Sequence, residues 1–136
     1  MYDNPGSVAL INGTAPPADP YGADPTDGLY RVNNWVSNHD AVWGWPVHLA
    51  MNQAASEVSS SGADGLLIEL GINDLIWGIN SPQGAINDLG TLIANARAAN
   101  PNLKIVVANL LHTVPNPQFS YINPDITQFN QLLQKI

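Results

Sequence analysis

Apolar residues follow two different spacings in the second part of the chain, and each spacing predicts a different element. From Pro46 they recur every three or four positions for about fourteen residues, which predicts a helix with proline in its first turn. The run over 66–70, apolar except at Glu69 and bounded by two glycines, predicts a buried strand. Ser81 as a cap, Pro82 at the first helical position and a stripe of apolar residues predict a second helix that ends at Asn100.

A second strand and a last helix complete this pattern. The run over 103–110 is continuous and rich in β-branched residues, and Asn123-Pro124 begins a final apolar stripe. Short buried strands that alternate with amphipathic helices predict an α/β domain, with a parallel sheet covered by helices on both faces. Ligands bind beyond the carboxyl ends of such strands, and Gly71-Ile72-Asn73-Asp74 follows the first of them.

The chain divides into two regions by composition. Residues 1–34 are rich in proline and glycine and are predicted to be irregular, apart from a short edge strand at 8–11. Residues 35–136 hold the predicted α/β domain, and the sequence shows no internal repeat.

Charge and composition exclude several classes of function. Only 4 Lys and Arg oppose 11 Asp and Glu in 136 residues, so the net charge is -7. Because binding to phosphate groups needs clustered cations, nucleic acid and anionic membrane surfaces are not expected as partners. There is no cysteine, which excludes disulfides, zinc-thiolate sites and cysteine nucleophiles. No apolar run approaches the ~18 residues of a membrane span.

Asn73 and Asp74 have two interpretations. Both residue types are common in turns, where Asp74 could bind nearby backbone N–H groups. Alternatively, the Asn73 amide is a neutral, fixed donor that suits an oxyanion at the end of a strand. The four residues alone do not decide between the two interpretations.

The segment LLIELGINDLIWG, residues 66–78, resembles the Gly-x-Asn-Asp block of the SGNH, or GDSL-type, ester hydrolases. This resemblance implies that Asn73 is an oxyanion donor. NHDAVWGWPVHLAMNQ, residues 38–53, looks like an upstream segment of that family, in which the backbone N–H of Gly44 would be another donor. KIVVANLLHTVPNP, residues 104–117, is similar to the strand and proline-bearing loop that follow. The resemblance covers about residues 36 to 136 and implies a flavodoxin-like, three-layer α/β/α fold that needs no cofactor.

The chain departs from the family pattern at both ends. The family takes its nucleophile from a Gly-Asp-Ser block and its other catalytic residues from an Asp-x-x-His block, and neither occurs here. Ser7 precedes an apolar run, whereas the nucleophile should follow one. The sequence therefore looks like the middle of the family's domain, an incomplete domain with little or no esterase activity of its own.

The histidines and acids give weaker signals. His39 and His112 are more typical of loop histidines than of a substitute base, and His48 is more typical of a surface or packing residue. No metal site is predicted, because no paired His, Asp or Glu spacing occurs. Glu69 interrupts an apolar strand and would need a partner if it were buried.

The tryptophans Trp43, Trp45 and Trp77 flank the two expected donors, and with His112 they are candidates for substrate binding. They could stack on sugar rings, or they could pack in the core. The expected function is ester hydrolysis on a small-molecule, carbohydrate or lipid ester. The alternatives are a non-catalytic module that binds a glycan or a partner, and a fragment that does not fold stably. Low lysine content favours a secreted protein, and the oligomeric state is not predicted.

Overall fold

The computed structural model of the chain describes residues 40, 42, 44–113 and 119–136. The chain divides after Gly44, and nearly all the described residues belong to the second unit, Trp45–Ile136. The irregular segment predicted for 1–34, with its edge strand at 8–11, lies outside the described residues.

The described elements follow the predicted order, with one addition. They are α1 (Val47–Ser61), β1 (Gly65–Ile68), α2 (Ile72–Ile76), α3 (Pro82–Ala99), β2 (Lys104–Val107), a 3-10 turn (Ser120–Ile122) and α4 (Asn123–Leu133). The addition is α2, a five-residue helix where the sequence predicted a turn. Both strands are shorter than the apolar runs that predicted them.

The helix termini explain where the helices begin and end. The Ser81 side chain accepts a hydrogen bond from the backbone N–H of Gly84 at 3.2 Å, and Pro82 begins α3 as predicted. Pro46 lies one residue before α1, in the N-cap position, and its own side chain makes no capping hydrogen bond. The other end of α1 closes on Gly62 in the left-handed conformation, a common way to end a helix.

The two strands pair in parallel, from Gly65 opposite Lys104 to Ile68 opposite Val107. The backbone N–H of Ala108 adds a bond of 2.8 Å to the carbonyl of Ile68. Because α2 and α3 connect the strands, β1, the helices and β2 form a β-α-β unit. This confirms the predicted α/β class with a parallel sheet.

One face of the sheet carries the core. The side chains on this face pack with α1, α3 and α4 in one apolar cluster, whose sheet members are Leu66, Ile68, Ile105 and Val107. On the opposite face, Leu67 is 83% exposed and Val106 is 59% exposed. Within the described part of the chain, helices thus cover one face, whereas the sequence predicted helices on both. Glu69 is also exposed, so it does not need the partner that a buried carboxylate would require.

Candidate functional site

The chain leaves the first strand through Gly71, which only a glycine can occupy without strain. Its φ is +122°, a conformation that L side chains rarely adopt. A Cβ atom there would lie 2.8 and 2.9 Å from two ring carbons of Phe129, a fully buried residue of α4. The glycine therefore provides both the turn into α2 and the space that lets α4 pack against the end of β1.

Asn73 lies in the first turn of α2, just beyond the carboxyl end of β1. Its amide is half-buried and donates a hydrogen bond of 3.0 Å to the backbone carbonyl of Trp45. Because a primary amide carries two N–H groups, this bond fixes the side chain and leaves a second donor.

Asp74 has a different role from the turn-forming one that the sequence suggested. Its side chain is fully buried, and Oδ2 accepts a hydrogen bond of 2.9 Å from the backbone N–H of Val47, the first residue of α1. It therefore caps a helix that has no cap of its own and no acid in its first turn. The turn after α2 is held by the backbone carbonyl of Asp74, which accepts bonds from Ile79 and Asn80.

The other carboxylate oxygen of Asp74 faces polar side chains. The amide nitrogen of Asn80 donates to Asp74 Oδ1 at 3.4 Å and to Asp88 Oδ2 at 2.8 Å. Burial removes water from Asp74 and raises the pKa of its carboxyl group, against the opposing effects of Val47, Asn80 and His48.

His48 completes a small polar group. His48, Asp74 and Asp88 each offer one atom of a type that binds metal ions, and these atoms all lie within 4.8 Å of one another. His48 Nδ1 is buried and has no hydrogen-bond partner. The sequence assigned His48 to the surface or to packing and predicted no metal site. The three residues are 26 and 14 positions apart in sequence, so local spacing could not reveal the group.

The loop after β2 is fastened to α4 by side chains. Asn130 donates to the carbonyl of Leu110 at 2.9 Å and accepts from its N–H at 2.8 Å. Thr127 donates its hydroxyl hydrogen to a backbone carbonyl, so in the 2.8 Å contact with His112 Nε2 the ring is the donor. His112 itself is exposed.

The predicted tryptophans fall in different situations. Trp45 is half-buried beside Asn73, and Trp77 at the end of α2 is 51% exposed. Trp43 and His39 lie outside the described residues. Gly44 has a φ of +79° and belongs to the first unit of the chain, so its convergence with Asn73 stays a prediction.

An open groove of about 280 Å³ lies between α3, β2 and the end of the chain. It contains none of the predicted site residues, and it is lined by Ile93, Arg97, Ile105, Val107, Leu133 and Ile136. Each helix in the described part of the chain is too short or too polar to cross a membrane.

Comparison with protein families gives one match over nearly the whole sequence. The model of the GDSL-like Lipase/Acylhydrolase family matches residues 10–136. This match starts at residue 10, whereas the resemblance in the sequence begins at about residue 36. The domain boundary predicted between residues 34 and 35 stays a prediction. No curated protein matches the chain.

Two solved structures are similar in fold. One is an acetyl esterase mutant with acetate ion, and the other is a carbohydrate esterase family 3 protein from Talaromyces cellulolyticus. Each has a TM-score of 0.69 and 24% sequence identity, over 79% of this chain and 49% of the other. The chain thus spans about half the length of these structures, and the likeness supports the SGNH-type α/β fold.

Proposed function

We propose, since the chain belongs to the GDSL-like lipase/acylhydrolase family of ester hydrolases, that Asn73 is an oxyanion donor of an ester-hydrolase active site. The observation that carries this proposal is the bond between the Asn73 amide and the carbonyl of Trp45. It holds a neutral donor at the carboxyl end of β1, where parallel sheets bind their ligands.

The chemistry requires a donor that is already in place when charge develops. Attack on an ester carbonyl gives a tetrahedral oxyanion, which fixed N–H groups stabilise most effectively. The second N–H of Asn73 suits this role, because the first one holds the side chain in position. The backbone N–H of Gly44, directly before Trp45 in sequence, is proposed as a further donor.

The charge of Asp74 supports the same assignment. A carboxylate next to an oxyanion would oppose its formation, yet Asp74 is buried and directs one oxygen to the N-terminus of α1. The adjacent residues thus separate two tasks, with Asn73 as the donor and Asp74 as the helix cap.

The nucleophile and the base are the remaining requirements of this mechanism. Ester hydrolysis of this type needs an activated serine and a histidine that transfers its proton. Because the sequence has no Gly-Asp-Ser and no Asp-x-x-His, we expect this chain by itself to have little or no turnover.

The proposed substrate is an ester of a small carbohydrate, with acetyl as its acyl group. The support comes from the two similar structures, which are an acetyl esterase and a carbohydrate esterase. The indole of Trp77, half-exposed at the end of α2, is proposed to contact the sugar, together with Trp43 and Trp45. Secretion stays a proposal that rests on composition alone.

Acetate tests the donor directly, because its oxygen can occupy the position of the oxyanion. Acetate is titrated into the ¹⁵N-labelled chain, and the side-chain NH₂ signals of its asparagines are followed by NMR. We expect a saturable shift of the Asn73 signals. The shifts of other groups near the site should disappear in Asn73→Asp, which removes the donor but keeps the shape.

Asn109→Asp is the matched control, because Asn109 is exposed after β2 and the substitution makes the same change of charge. It should leave the response to acetate unchanged. An Asn73 signal that does not move, or an equal loss of binding in both variants, would contradict the proposal.

The alternative is a non-catalytic module that binds glycans, and the exposure of Trp77 favours it. Acetylated oligosaccharides are added to the protein. A change in tryptophan fluorescence without release of acetate from the oligosaccharide would support this alternative. Acetate release that depends on Asn73 would reject it.

A further inference from the structure

Three helices bring polar side chains together in one small group. His48 lies in the first turn of α1, Asp74 in α2 and Asp88 in α3. One imidazole nitrogen and two carboxylate oxygens lie within 4.8 Å of one another. The oxyanion role of Asn73 does not use any of these atoms.

His48 has a buried ring nitrogen. Its Nδ1 atom has no hydrogen-bond partner, although it is buried. Buried polar atoms in folded proteins almost always have a hydrogen-bond partner or a ligand. One ring nitrogen of His48 lies within 4.8 Å of a carboxylate oxygen of Asp74 and of one of Asp88.

The charges of the two aspartates also favour a cation. Asp74 is fully buried and lies close to a second carboxylate, which is unfavourable unless a cation balances them. Two of the three Lys and Arg residues in the described segments lie elsewhere. Arg97 is nine residues from Asp88, about 13 Å along α3, and Lys104 pairs with Gly65 at the opposite end of the strands.

Hydrogen bonds hold both carboxylates in place. Asp74 binds α1 through Oδ2 and presents Oδ1 to the group, so its orientation is fixed. The Asn80 amide lies between Oδ1 of Asp74 and Oδ2 of Asp88. If the side-chain amide of Asn80 rotated by 180°, its oxygen would take the place of its nitrogen and become a fourth ligand. Such a rotation needs no extra space, because the oxygen and the NH₂ of an amide have nearly the same shape.

We propose that His48 Nδ1, Asp74 Oδ1 and Asp88 Oδ2 bind one divalent transition-metal ion of the zinc type. Zinc holds nitrogen and carboxylate oxygen at about 2.0–2.2 Å, so in a tetrahedral site its ligand atoms lie roughly 3.3–3.6 Å apart, and the group, whose atoms lie within 4.8 Å of one another, must close by about 1 Å. The imidazole favours zinc over calcium and magnesium, which prefer ligand sets made of oxygen. The ion connects α1, α2 and α3, and it has a structural role beside Asn73.

Titration of the metal-free chain with Zn²⁺ by calorimetry tests this site. We expect one Zn²⁺ per chain and a higher unfolding temperature with zinc than with EDTA. His48→Ala and Asp88→Asn should each weaken binding by about tenfold or more. Both variants keep the bond between Asp74 and Val47. Ca²⁺ and Mg²⁺ should bind more weakly than Zn²⁺.

His112→Ala and Asp125→Asn are the controls, because both residues are exposed and neither belongs to the group. They should bind Zn²⁺ as the original chain does. The proposal is overturned if the original chain binds no Zn²⁺, if His48→Ala and Asp88→Asn bind it unchanged, or if the controls lose as much affinity.

A measurement on the unsubstituted chain covers the case in which these variants fail to fold. The ring nitrogens of His48 are followed by NMR as Zn²⁺ is added, and coordination moves the Nδ1 signal of a bound imidazole. A shift at His48 Nδ1 supports the site, whereas a shift confined to His112 or His39 overturns it.

Discussion

The carboxylate of Asp74 accepts a hydrogen bond from the backbone N–H of Val47, 27 positions earlier in the chain. This bond joins the residue after the proposed oxyanion donor to the first turn of α1. The same first turn follows Trp45, whose carbonyl holds Asn73. The Asn-Asp pair therefore binds one segment of main chain at two points, and its rigidity depends on both bonds.

Replacement of Asp74 by alanine should lower the free energy of unfolding by about 2–4 kcal/mol, because it leaves a buried N–H group without its charged acceptor. Asp74→Asn should cost less, since its amide oxygen can still accept the bond. Urea denaturation measures both variants. Asp64→Ala, at an exposed acid before β1, should stay within about 0.5 kcal/mol. Equal effects at positions 64 and 74 would contradict the capping role.

Gly71→Ala should be among the most damaging single changes in the domain. The new methyl group would meet the Phe129 ring at 2.8 Å, on a backbone with φ of +122°. Strain and overpacking together should cost about 2–5 kcal/mol. Thermal or urea unfolding tests this.

Gly90→Ala is the matched control for Gly71, with an effect of opposite sign. Gly90 lies inside α3, and nothing lies within 4 Å of the position of its added Cβ. Alanine there should stabilise the protein by about 0.5–1 kcal/mol, because it favours the helix. A neutral Gly71→Ala would contradict the close contact between Gly71 and Phe129 of α4. A destabilised Gly90→Ala would contradict the open space beside Gly90.

The elements that could be predicted from sequence are those with local signals. Ser81 and Pro82 mark the start of α3, and a long apolar stripe follows, so the predicted helix is confirmed. The β-branched run before Leu110 predicted β2 in the same way. The five residues of α2 are too few to show a helical period, so the sequence predicts only a turn there.

The errors and omissions arise where tertiary contacts decide. An apolar run suggests a strand buried on both faces, but Leu67 in β1 is 83% exposed. Glu69, just after β1, is exposed as well. The grouping of His48 with Asp74 and Asp88 depends on how three helices pack. The signal in the sequence was only that each polar residue interrupts or borders an apolar stripe, which many solvent-exposed residues also do.

Asn130→Asp should loosen the loop after β2. The substitution keeps the acceptor for the N–H of Leu110 but removes the donor to its carbonyl and adds a charge in a half-buried position. We expect a loss of about 1–3 kcal/mol in the free energy of unfolding, and faster hydrogen exchange at the Leu110 amide. Gln128→Glu, exposed on the same helix, adds the same charge and should have little effect on either measurement. Unchanged exchange at Leu110 in Asn130→Asp would show that the side chain does not hold the loop.

The last prediction concerns catalysis by this chain alone. A hydrolase without its triad retains only about 10³–10⁴-fold acceleration over water, from oxyanion stabilisation and binding. With a small aryl acetate as substrate, we therefore expect weak turnover at most, and Asn73→Asp should remove what remains, because it replaces the donor by an acceptor. Asn109→Asp should leave it unchanged. Fast turnover that a single serine-to-alanine substitution abolishes would identify a nucleophile within these residues, and it would overturn the proposal that this chain supplies the oxyanion donors without the nucleophile.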